Sequence, residues 1–323
     1  MTPLHHYGWS GDLPTTGTLA RVIKEFQHIY HIVTASASGT DVVRSEAIVT
    51  GQFRHHVTVR SDYPVVGDWV IVSGPQPDGR FHIEERVPRH NSLSRLHKHY
   101  NHEEQVLVSN VDIAFIMVSI DGYRQDNENR LNRFIQLVTQ AGISPIILCN
   151  KMDLAPADYA ILAPLKEMVS PYLVIPIQAK FNKGINDVQC HISAQKTAIV
   201  LGVSGVGKST LINQLFQQEV QAVHIVRKKD QKGMHTTRNR ELFRLPNSGL
   251  IIDTPGIKSL VLWGDDKQLK EHEGDQRFDH IRDLSRACKF SNCTHQHEPH
   301  CAVKAAVESG ELDEKTLAMF LKR

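Results

Sequence analysis

Residues 200–212 read VLGVSGVGKSTLI, an apolar β-type run followed by a glycine-rich loop and the beginning of a helix. The segment GVSGVGKS (202–209) satisfies the pattern GxxxxGK[ST] of nucleotide-binding phosphate loops. Glycines let successive backbone N–H groups point toward phosphate oxygens, and the N-terminus of the following helix adds favourable partial charge. Because strand, loop and helix are all present, a glycine turn without a ligand is a poor alternative. The stretch therefore predicts an α/β domain that binds a nucleoside triphosphate.

Two side chains of this loop have defined tasks in such domains. Lys208 would reach the outer phosphates, and the hydroxyl of Ser209 would bind Mg²⁺. The predicted phosphate-binding set is Gly202, Val203, Ser204, Gly205, Val206, Gly207, Lys208, Ser209 and Thr210.

A second phosphate-side motif follows downstream, where GLIIDTPG (249–256) is an apolar strand that ends in DTPG. Asp253 is expected to approach Mg²⁺, often through water, and the N–H of Gly256 is expected to meet the γ-phosphate. Alone, DTPG is a common turn sequence. With a phosphate loop in the same chain, it indicates a GTPase-type domain.

The base-reading motif lies upstream of the phosphate loop, at the end of the apolar strand SPIILCNKMD (144–153). Ligands gather at the carboxyl ends of strands in open α/β sheets. The carboxylate of Asp153 can accept hydrogen bonds from N1–H and the exocyclic amine of guanine, whereas adenine would leave it unmatched. Asn150 would bind N7 of the base, and the stem of Lys151 would cover the ring. The predicted guanine-binding set is Asn150, Lys151, Met152 and Asp153.

The order of these motifs differs from that of conventional GTPases. NKMD comes first, QAK (178–180) is assigned to the loop that packs on the base, and the phosphate loop and DTPG follow. A conventional domain places the two base-side motifs last. The same sheet can form if the original termini are joined and the chain is opened elsewhere, because domain termini often lie close together. The order therefore predicts a circularly permuted P-loop GTPase domain of the α/β class.

The hydrophobic pattern divides the 323 residues into three domains. Residues 1–16 are expected to form a loose tail. Five short β-type runs between Gly17 and Glu85 predict a small antiparallel barrel, either a generic β-domain or an OB-type RNA-binding barrel. A basic connection at 86–105 precedes an alternation of strands and helices. The predicted boundaries are 1–97 for tail, barrel and linker, 98–262 for the G domain, and 263–323 for a C-terminal lobe.

Three of the five cysteines lie close together near the C-terminus, in the spacing C-x4-C-x-H-x5-C. Three thiolates and one imidazole make a closed tetrahedral set, which suits one structural Zn²⁺ rather than catalysis. His297 and His300 are further imidazoles, although His295 fits best, and reduced cysteines in a loop are the alternative. The predicted zinc ligands are Cys288, Cys293, His295 and Cys301.

The residues that would assist hydrolysis are less clearly marked. Many small GTPases place a water-orienting glutamine directly after the DxxG glycine. Here Ile257 holds that position and cannot hydrogen-bond water, so hydrolysis is predicted to be slow without help. GMHTTR (233–238) is the candidate switch I segment, in which Thr236 or Thr237 would ligate Mg²⁺. His235 is either the residue that positions or deprotonates the water or an exposed loop residue, and the sequence favours neither.

The motifs together resemble the ribosome small-subunit-dependent GTPase A family, which is bacterial and permuted. The resemblance rests on VVGDWV, RHNSLSR, SNVD, LNRF, NKMDL, GVSGVGKST, GMHTTR, DTPGI and CKFSNCTH…EPHCAVKAAVESGEL. It implies an N-terminal all-β OB-fold barrel, a central G domain and a C-terminal α-helical zinc-binding lobe. It also implies a GTP-hydrolysing factor in late maturation of the small ribosomal subunit, which binds the subunit and its rRNA and is stimulated by the subunit.

Two other functions compete with this interpretation. One is a GTP-gated RNA-binding module with negligible turnover, and the other is a P-loop ATPase or kinase, which NKMD disfavours.

The net charge of +2 does not by itself argue for a nucleic-acid partner. The first residues have no signal-peptide core, and no apolar run has the length of a membrane span. We therefore expect a cytoplasmic monomer that binds GTP or GDP with Mg²⁺, holds Zn²⁺ and contacts no membrane.

Overall fold

A computed structural model describes most of the N-terminal four fifths of the chain and part of the remainder. The described residues are 2–26, 28–96, 104–120, 125–155, 162–217, 240–246, 249–253, 281, 284–285, 288, 293–295, 299, 301–310, 312–313 and 317. Two compact units are present, Met1–Leu260 and Val261–Arg323. Among the described residues, no helix combines the length and the apolar character that a membrane crossing requires.

A closed barrel forms the N-terminal part of the first unit. Its strands are β1 (Thr18–Phe26), β2 (Ile29–Ala35), β3 (Val42–Val49), β4 (Trp69–Ser73) and β5 (Phe81–Arg86). They pair in the order β1-β2-β3-β5-β4, and β4 returns to β1 to close the cylinder. Alternate apolar side chains such as Val22, Ile32 and Ile83 point inward and form the barrel core. Helix α1 (Gly51–His56) follows β3 and contributes Phe53 to the same core.

A hairpin connects the barrel with the next domain. It consists of β6 (Ser92–Leu96) and β7 (Glu104–Ser109), which pair antiparallel in a sheet of their own. The connection predicted at 86–105 is therefore in part β-structure. The predicted boundary between residues 97 and 98 falls between the two strands of this hairpin. The bounds of the three domains stay a prediction.

The second part of this unit is a mainly parallel sheet with helices. Its strands are β8 (Ile113–Ser119), β9 (Ser144–Asn150), β10 (Leu173–Pro176), β11 (Thr197–Gly202), β12 (Glu241–Arg244) and β13 (Leu250–Asp253). Its helices are α2 (Gln125–Gln140), α3 (Leu162–Met168), α4 (Ile185–His191) and α5 (Lys208–Gln217). The spatial order is β10-β9-β8-β11-β13-β12, in which β12 runs antiparallel to β13 and the other neighbours are parallel. Strand β11, which leads into the phosphate loop, thus lies between strands that precede it in the chain and strands that follow it.

The N-terminal segment is docked rather than loose over residues 3–7. It forms a 3₁₀ helix, Pro3–Tyr7, whose side chains Leu4 and Tyr7 are buried. The carbonyl of Tyr7 accepts a hydrogen bond from the guanidinium of Arg21 on β1. The expectation of a loose tail is wrong here because two apolar side chains and one buried donor outweigh a locally polar composition.

A buried arginine joins the barrel to the α/β domain. Arg21 Nε donates to the carbonyl oxygen of Gly67 at 3.3 Å, and Arg21 Nη2 donates to Asn110 O at 3.2 Å and to Thr197 Oγ1 at 3.0 Å. Its guanidinium also lies 5.2 Å from the ring centroid of Trp69. Burial lowers the pKa of Arg21 to about 10, so the side chain stays protonated at neutral pH. Strand β1 is therefore tied to the beginning of β11 through this one side chain.

The motifs VVGDWV, RHNS and SNVD form the rest of this junction. Both carboxylate oxygens of Asp68 accept hydrogen bonds from Arg89 at 2.7 Å. Gly67 has φ +99°, and a Cβ there would lie 2.1 Å from a carbonyl oxygen of β7, so only glycine fits. The amide of Asn91 bonds both the carbonyl and the N–H of Val111, at 2.7 and 2.9 Å. These three motifs therefore have a structural role in joining the two domains.

The described residues of the C-terminal unit include an apolar cluster of their own. Helix α6 (Ala302–Glu308) contributes Val303 and Ala306, which pack with Ile281, Leu312 and Leu317.

Candidate nucleotide site and metal centre

The carboxyl ends of neighbouring strands meet at one edge of the parallel sheet. The register pairs Met117 of β8 with Gly202 of β11, and Ser119 of β8 with Asn150 of β9. The phosphate loop leaves β11 at this edge, and NKMD leaves β9 at the same edge. This edge is where ligands bind in open α/β sheets, and both motifs lie on it despite their distance in the chain.

The buried amide of Asn150 connects the loops at this edge. Asn150 is 3% exposed. Its Nδ2 donates to the carbonyl of Val206 in the phosphate loop at 2.8 Å, and its Oδ1 accepts from the N–H of Ala179 at 3.0 Å. An amide group carries two N–H donors, so these bonds are compatible with the predicted contact of Asn150 with N7 of guanine. The base side and the phosphate side of the candidate site therefore share one side chain.

Glycine at position 207 is required by this contact. Gly207 has φ +106°, and a Cβ there would lie 2.3 Å from Asn150 Nδ2. The nearby Gly205 also has a positive φ, +81°, but its Cβ would meet no atom within 4 Å. Position 207 is therefore constrained by packing against Asn150 as well as by backbone conformation.

The phosphate loop is anchored at its base and open at its mouth. Val206 is buried in the core of the domain, whereas Ser204, Gly205 and Ser209 are exposed. Lys208 Nζ donates to carbonyl oxygens at the beginning of the loop, those of Gly202 at 2.7 Å and Val203 at 2.8 Å. Helix α5 starts at Lys208, so its N-terminus and the ammonium group lie beside the loop, in the arrangement that binds phosphate.

The NKMD segment turns sharply after β9. Lys151 has φ +62°, a left-handed conformation that leads into a 3₁₀ helix, Met152–Leu154. Met152 is buried and Asp153 is exposed. Met152 therefore anchors the turn in the core, and Asp153 stays accessible to a ligand.

The QAK segment lies beside the NKMD turn. It starts a 3₁₀ helix, Ala179–Phe181, in which Ala179 is buried. The N–H of Ala179 donates to Asn150 Oδ1, a contact that the residue pattern does not predict. A backbone donor leaves no trace in residue identity, so only the spacing of an apolar strand before QAK pointed to this loop.

Two of the predicted magnesium ligands are among the described residues, one at the end of a strand and one at the beginning of a helix. Asp253 is the last residue of β13, directly after the registered pair Ile199–Ile252 of β11 and β13. Ser209 is exposed in the first turn of α5. A carboxylate and a hydroxyl suit Mg²⁺, which prefers oxygen ligands. The other predicted residues of this side lie outside the described residues: His235, Thr236, Thr237 and Gly256.

A second candidate site lies in the C-terminal unit. Its four ligand atoms lie within 4.8 Å of one another. The Sγ atoms of Cys288 and Cys301 are 3.8 Å apart, and Nδ1 of His295 lies 3.7 and 3.4 Å from them. Tetrahedral Zn²⁺ with bonds of about 2.0–2.3 Å requires ligand separations of about 3.5–3.8 Å, which these three distances match closely, and the sulfur of Cys293 completes the group within 4.8 Å. The complete set is Cys288, Cys293, His295 and Cys301.

A hydroxyl holds the imidazole of this set in place. Ser285 Oγ lies 3.1 Å from Nε2 of His295 and itself donates to the carbonyl of Ile281 at 2.7 Å. Such an outer partner orients a metal-binding histidine and fixes which nitrogen faces the metal. The structure therefore assigns Nδ1 of His295 to the candidate metal. The alternative imidazoles His297 and His300 lie outside the described residues.

Comparisons with known proteins agree with this geometry. The model of the RsgA GTPase family matches residues 86–263. The small ribosomal subunit biogenesis GTPase RsgA 1 of Oceanobacillus iheyensis is 36% identical over 304 residues, which cover 94% of this chain and 83% of that protein. The small ribosomal subunit biogenesis GTPase RsgA of Syntrophotalea carbinolica is 35% identical, and the match covers 94% and 82% of the two chains.

Two solved structures have the same architecture. YjeQ from Thermotoga maritima superposes with a TM-score of 0.58 at 25% identity, covering 94% of this chain and 96% of that chain. YloQ, described as a circularly permuted GTPase, gives a TM-score of 0.54 at 27% identity and covers 95% of each chain. Together with the strand order, these matches confirm the predicted fold class, including the circular permutation.

We expect Gly207→Ala to destabilise the nucleotide-free protein by roughly 2 kcal/mol more than Gly205→Ala does. Both substitutions place an alanine at positive φ, but only the first forces a methyl group against Asn150 Nδ2. The check is urea unfolding followed by circular dichroism. Equal losses of stability in the two variants would contradict the tight contact between the two loops.

Freshly purified protein is expected to contain about one zinc ion per chain. Cys301→Ser should abolish zinc retention, whereas Cys190→Ser, which alters an exposed cysteine outside the set, should leave it unchanged. Atomic emission spectrometry after gel filtration measures the metal content. Wild-type protein without zinc would refute the assignment.

Proposed function

The chain belongs to the RsgA GTPase family, and from this we propose that it acts as a GTP-hydrolysing factor in late maturation of the small ribosomal subunit. In this proposal the protein binds the subunit and its rRNA, and the subunit stimulates hydrolysis. We further propose that it works as a cytoplasmic monomer. Membership of the family makes the chain a GTPase, and the names of its relatives supply the ribosomal partner.

The contact of Asn150 with both loops carries this proposal. A guanine-reading carboxylate and a phosphate loop make a GTP site only if they face one cavity. The bonds from Asn150 to Val206 and Ala179 hold the two loops side by side at one sheet edge. This geometry supports GTP over ATP, because the exposed Asp153 belongs to the same turn as Asn150.

The proposed nucleotide contacts come from four segments: NKMD, the phosphate loop, GMHTTR and DTPG. Asp153 reads the base, the backbone N–H groups of the phosphate loop bind the phosphates, and Lys208 neutralises their charge. Ser209 and Asp253, with Thr236 or Thr237, would hold Mg²⁺, which would offset the charge that develops on the phosphate oxygens. The backbone N–H of Gly256 is proposed to bind the γ-phosphate.

Slow hydrolysis in the absence of a partner is part of the proposal. Ile257 offers no hydrogen bond to the attacking water, so this position cannot orient it. We propose that His235 supplies the missing contact when the subunit is bound. A water held by one well-placed acceptor gains reactivity through orientation and proton removal.

Binding to rRNA is supported by the surface of the barrel. Exposed basic side chains lie on α1 and shortly after it: Arg54, His55, His56 and Arg60. Contacts from such side chains to backbone phosphates provide sequence-independent affinity for nucleic acid. We infer that this part of the barrel contributes to subunit binding.

A GTP-gated RNA-binding module with negligible turnover is the second candidate, and Ile257 is the observation that favours it. In that case GTP would change the conformation, and hydrolysis would not accompany release from RNA. Phosphate release separates the two functions because both predict the same nucleotide affinity.

We expect phosphate release from GTP to rise at least about tenfold when purified small subunits are titrated into the protein, because the subunit completes the catalytic arrangement. Large subunits serve as the control and should have no such effect. His235→Ala should remove most of the stimulation while leaving GTP affinity close to normal. Absence of stimulation would favour the RNA-binding module, and a large loss of GTP affinity in the variant would reject the role of His235.

A further inference from the structure

The barrel contacts the GTPase sheet at a second place, beside the predicted magnesium site. The end of β1 pairs antiparallel with the beginning of β12, with Lys24 opposite Glu241. Lys24 Nζ lies 3.0 Å from a carboxylate oxygen of Glu241, and the two side chains are 29% and 22% exposed. A charged pair with this degree of burial is screened less by solvent than a fully exposed pair.

The same glutamate lies opposite the aspartate of DTPG. Strand β12 pairs antiparallel with β13, and this register sets Glu241 against Asp253. Directly opposite residues of antiparallel strands place their side chains on the same face of the sheet, with Cβ atoms about 4.5–5.5 Å apart. Lys24, Glu241 and Asp253 therefore form a charge row across three adjacent strands, with signs plus, minus and minus.

Two like charges at directly opposite positions repel each other, and the charge row contains such a pair. A cation on either side offsets this repulsion. Lys24 is the cation on the barrel side, and Mg²⁺ is the cation expected on the side of Asp253. The two cations consequently stabilise the same pair of carboxylates.

Neighbouring charges hold this pairing in register. Glu25 follows Lys24 on β1, and Arg240 directly precedes Glu241. The opposite charges of Glu25 and Arg240 attract each other. Both side chains are partly buried, and this burial lowers the pKa of Arg240 to about 10 and raises the pKa of Glu25. A slip by one residue would place side chains of like sign together, which specifies the observed register.

We propose that Glu241 is a positioning residue of the GTPase site, which adds negative charge behind Asp253, and that Lys24 of the barrel sets how strongly this charge acts on Mg²⁺. The inference rests on the proposed Mg²⁺-GTP site. If Glu241 and Lys24 act in this way, the affinity for Mg²⁺ depends on the contact between β1 and β12. A partner that displaces β1 from β12 would then change the affinity of the site for Mg²⁺.

The two members of the ion pair should have opposite effects on Mg²⁺ binding. Glu241→Gln removes a negative charge and is expected to weaken Mg²⁺ binding by about three- to tenfold, whereas Lys24→Met should strengthen it by a similar factor. The measurement is a Mg²⁺ titration of the full chain saturated with a fluorescent, non-hydrolysable GTP analogue. A merely structural ion pair predicts that both variants weaken binding together.

An exchanged pair provides the second test. Lys24→Glu combined with Glu241→Lys keeps the ion pair but places a cation opposite Asp253, so Mg²⁺ binding should be weaker than in either single variant. The control pair is Glu46 and Arg80, 3.3 Å apart on the barrel, where Glu46→Gln should change nothing.

Four results would count against the inference. Shifts of the same sign in the two single variants would overturn it, as would recovery of wild-type Mg²⁺ affinity in the exchanged pair. If the wild-type chain bound the GTP analogue without any dependence on Mg²⁺, the proposed Mg²⁺-GTP site itself would fail, and the inference with it. Normal Mg²⁺ dependence in the wild type, together with unchanged variants, would overturn the inference alone.

Discussion

One buried amide holds together the part of the molecule on which its function depends. Asn150 bonds the phosphate loop on one side and the QAK loop on the other, and Gly207 lies too close to it to tolerate a methyl group. If this amide were removed, a buried carbonyl and a buried N–H would lose their partners, at about 1–3 kcal/mol each. These contacts act through space, so they do not depend on the order in which the chain supplies the loops. A permuted chain can therefore bring together the two loops of the proposed GTP site.

Strand β1 connects the barrel to the sheet of the GTPase domain in two places. Arg21 bonds Thr197 at the beginning of β11, the strand that leads into the phosphate loop. Lys24, three positions further along β1, pairs with Glu241 beside the DTPG strand. Tyr7 and Gly67 also bond to Arg21, so the N-terminal segment and VVGDWV support the same strand. The barrel is thus a structural support of the GTPase domain as well as a candidate RNA-binding surface.

Much of this arrangement could be predicted from sequence because its signals are local. The phosphate loop, NKMD, DTPG and the cysteine cluster each combine a residue pattern with a defined chemistry, and alternating apolar runs predicted the sheet and the barrel. The docked N-terminus was not predictable, since Leu4 and Tyr7 are few among polar neighbours and their partner Arg21 lies on another element. The bond from Ala179 to Asn150 uses a backbone group, and the register of Glu241 against Asp253 depends on strand pairing. Neither leaves a mark in the residue pattern.

The most direct test of the shared cavity is a change of base specificity at Asp153. The substitution Asp153→Asn replaces one carboxylate oxygen with an N–H donor, which matches the 2-carbonyl of xanthine and mismatches the amine of guanine. Competition binding of GDP and xanthosine diphosphate to this variant, with the exposed Asp187→Asn as control, measures the preference. We predict that the preference for GDP falls by more than about tenfold, with a gain for the xanthine nucleotide, only in the Asp153 variant. Undiminished selectivity for GDP in that variant would show that the base is read elsewhere, and that the loops joined by Asn150 do not form one GTP site.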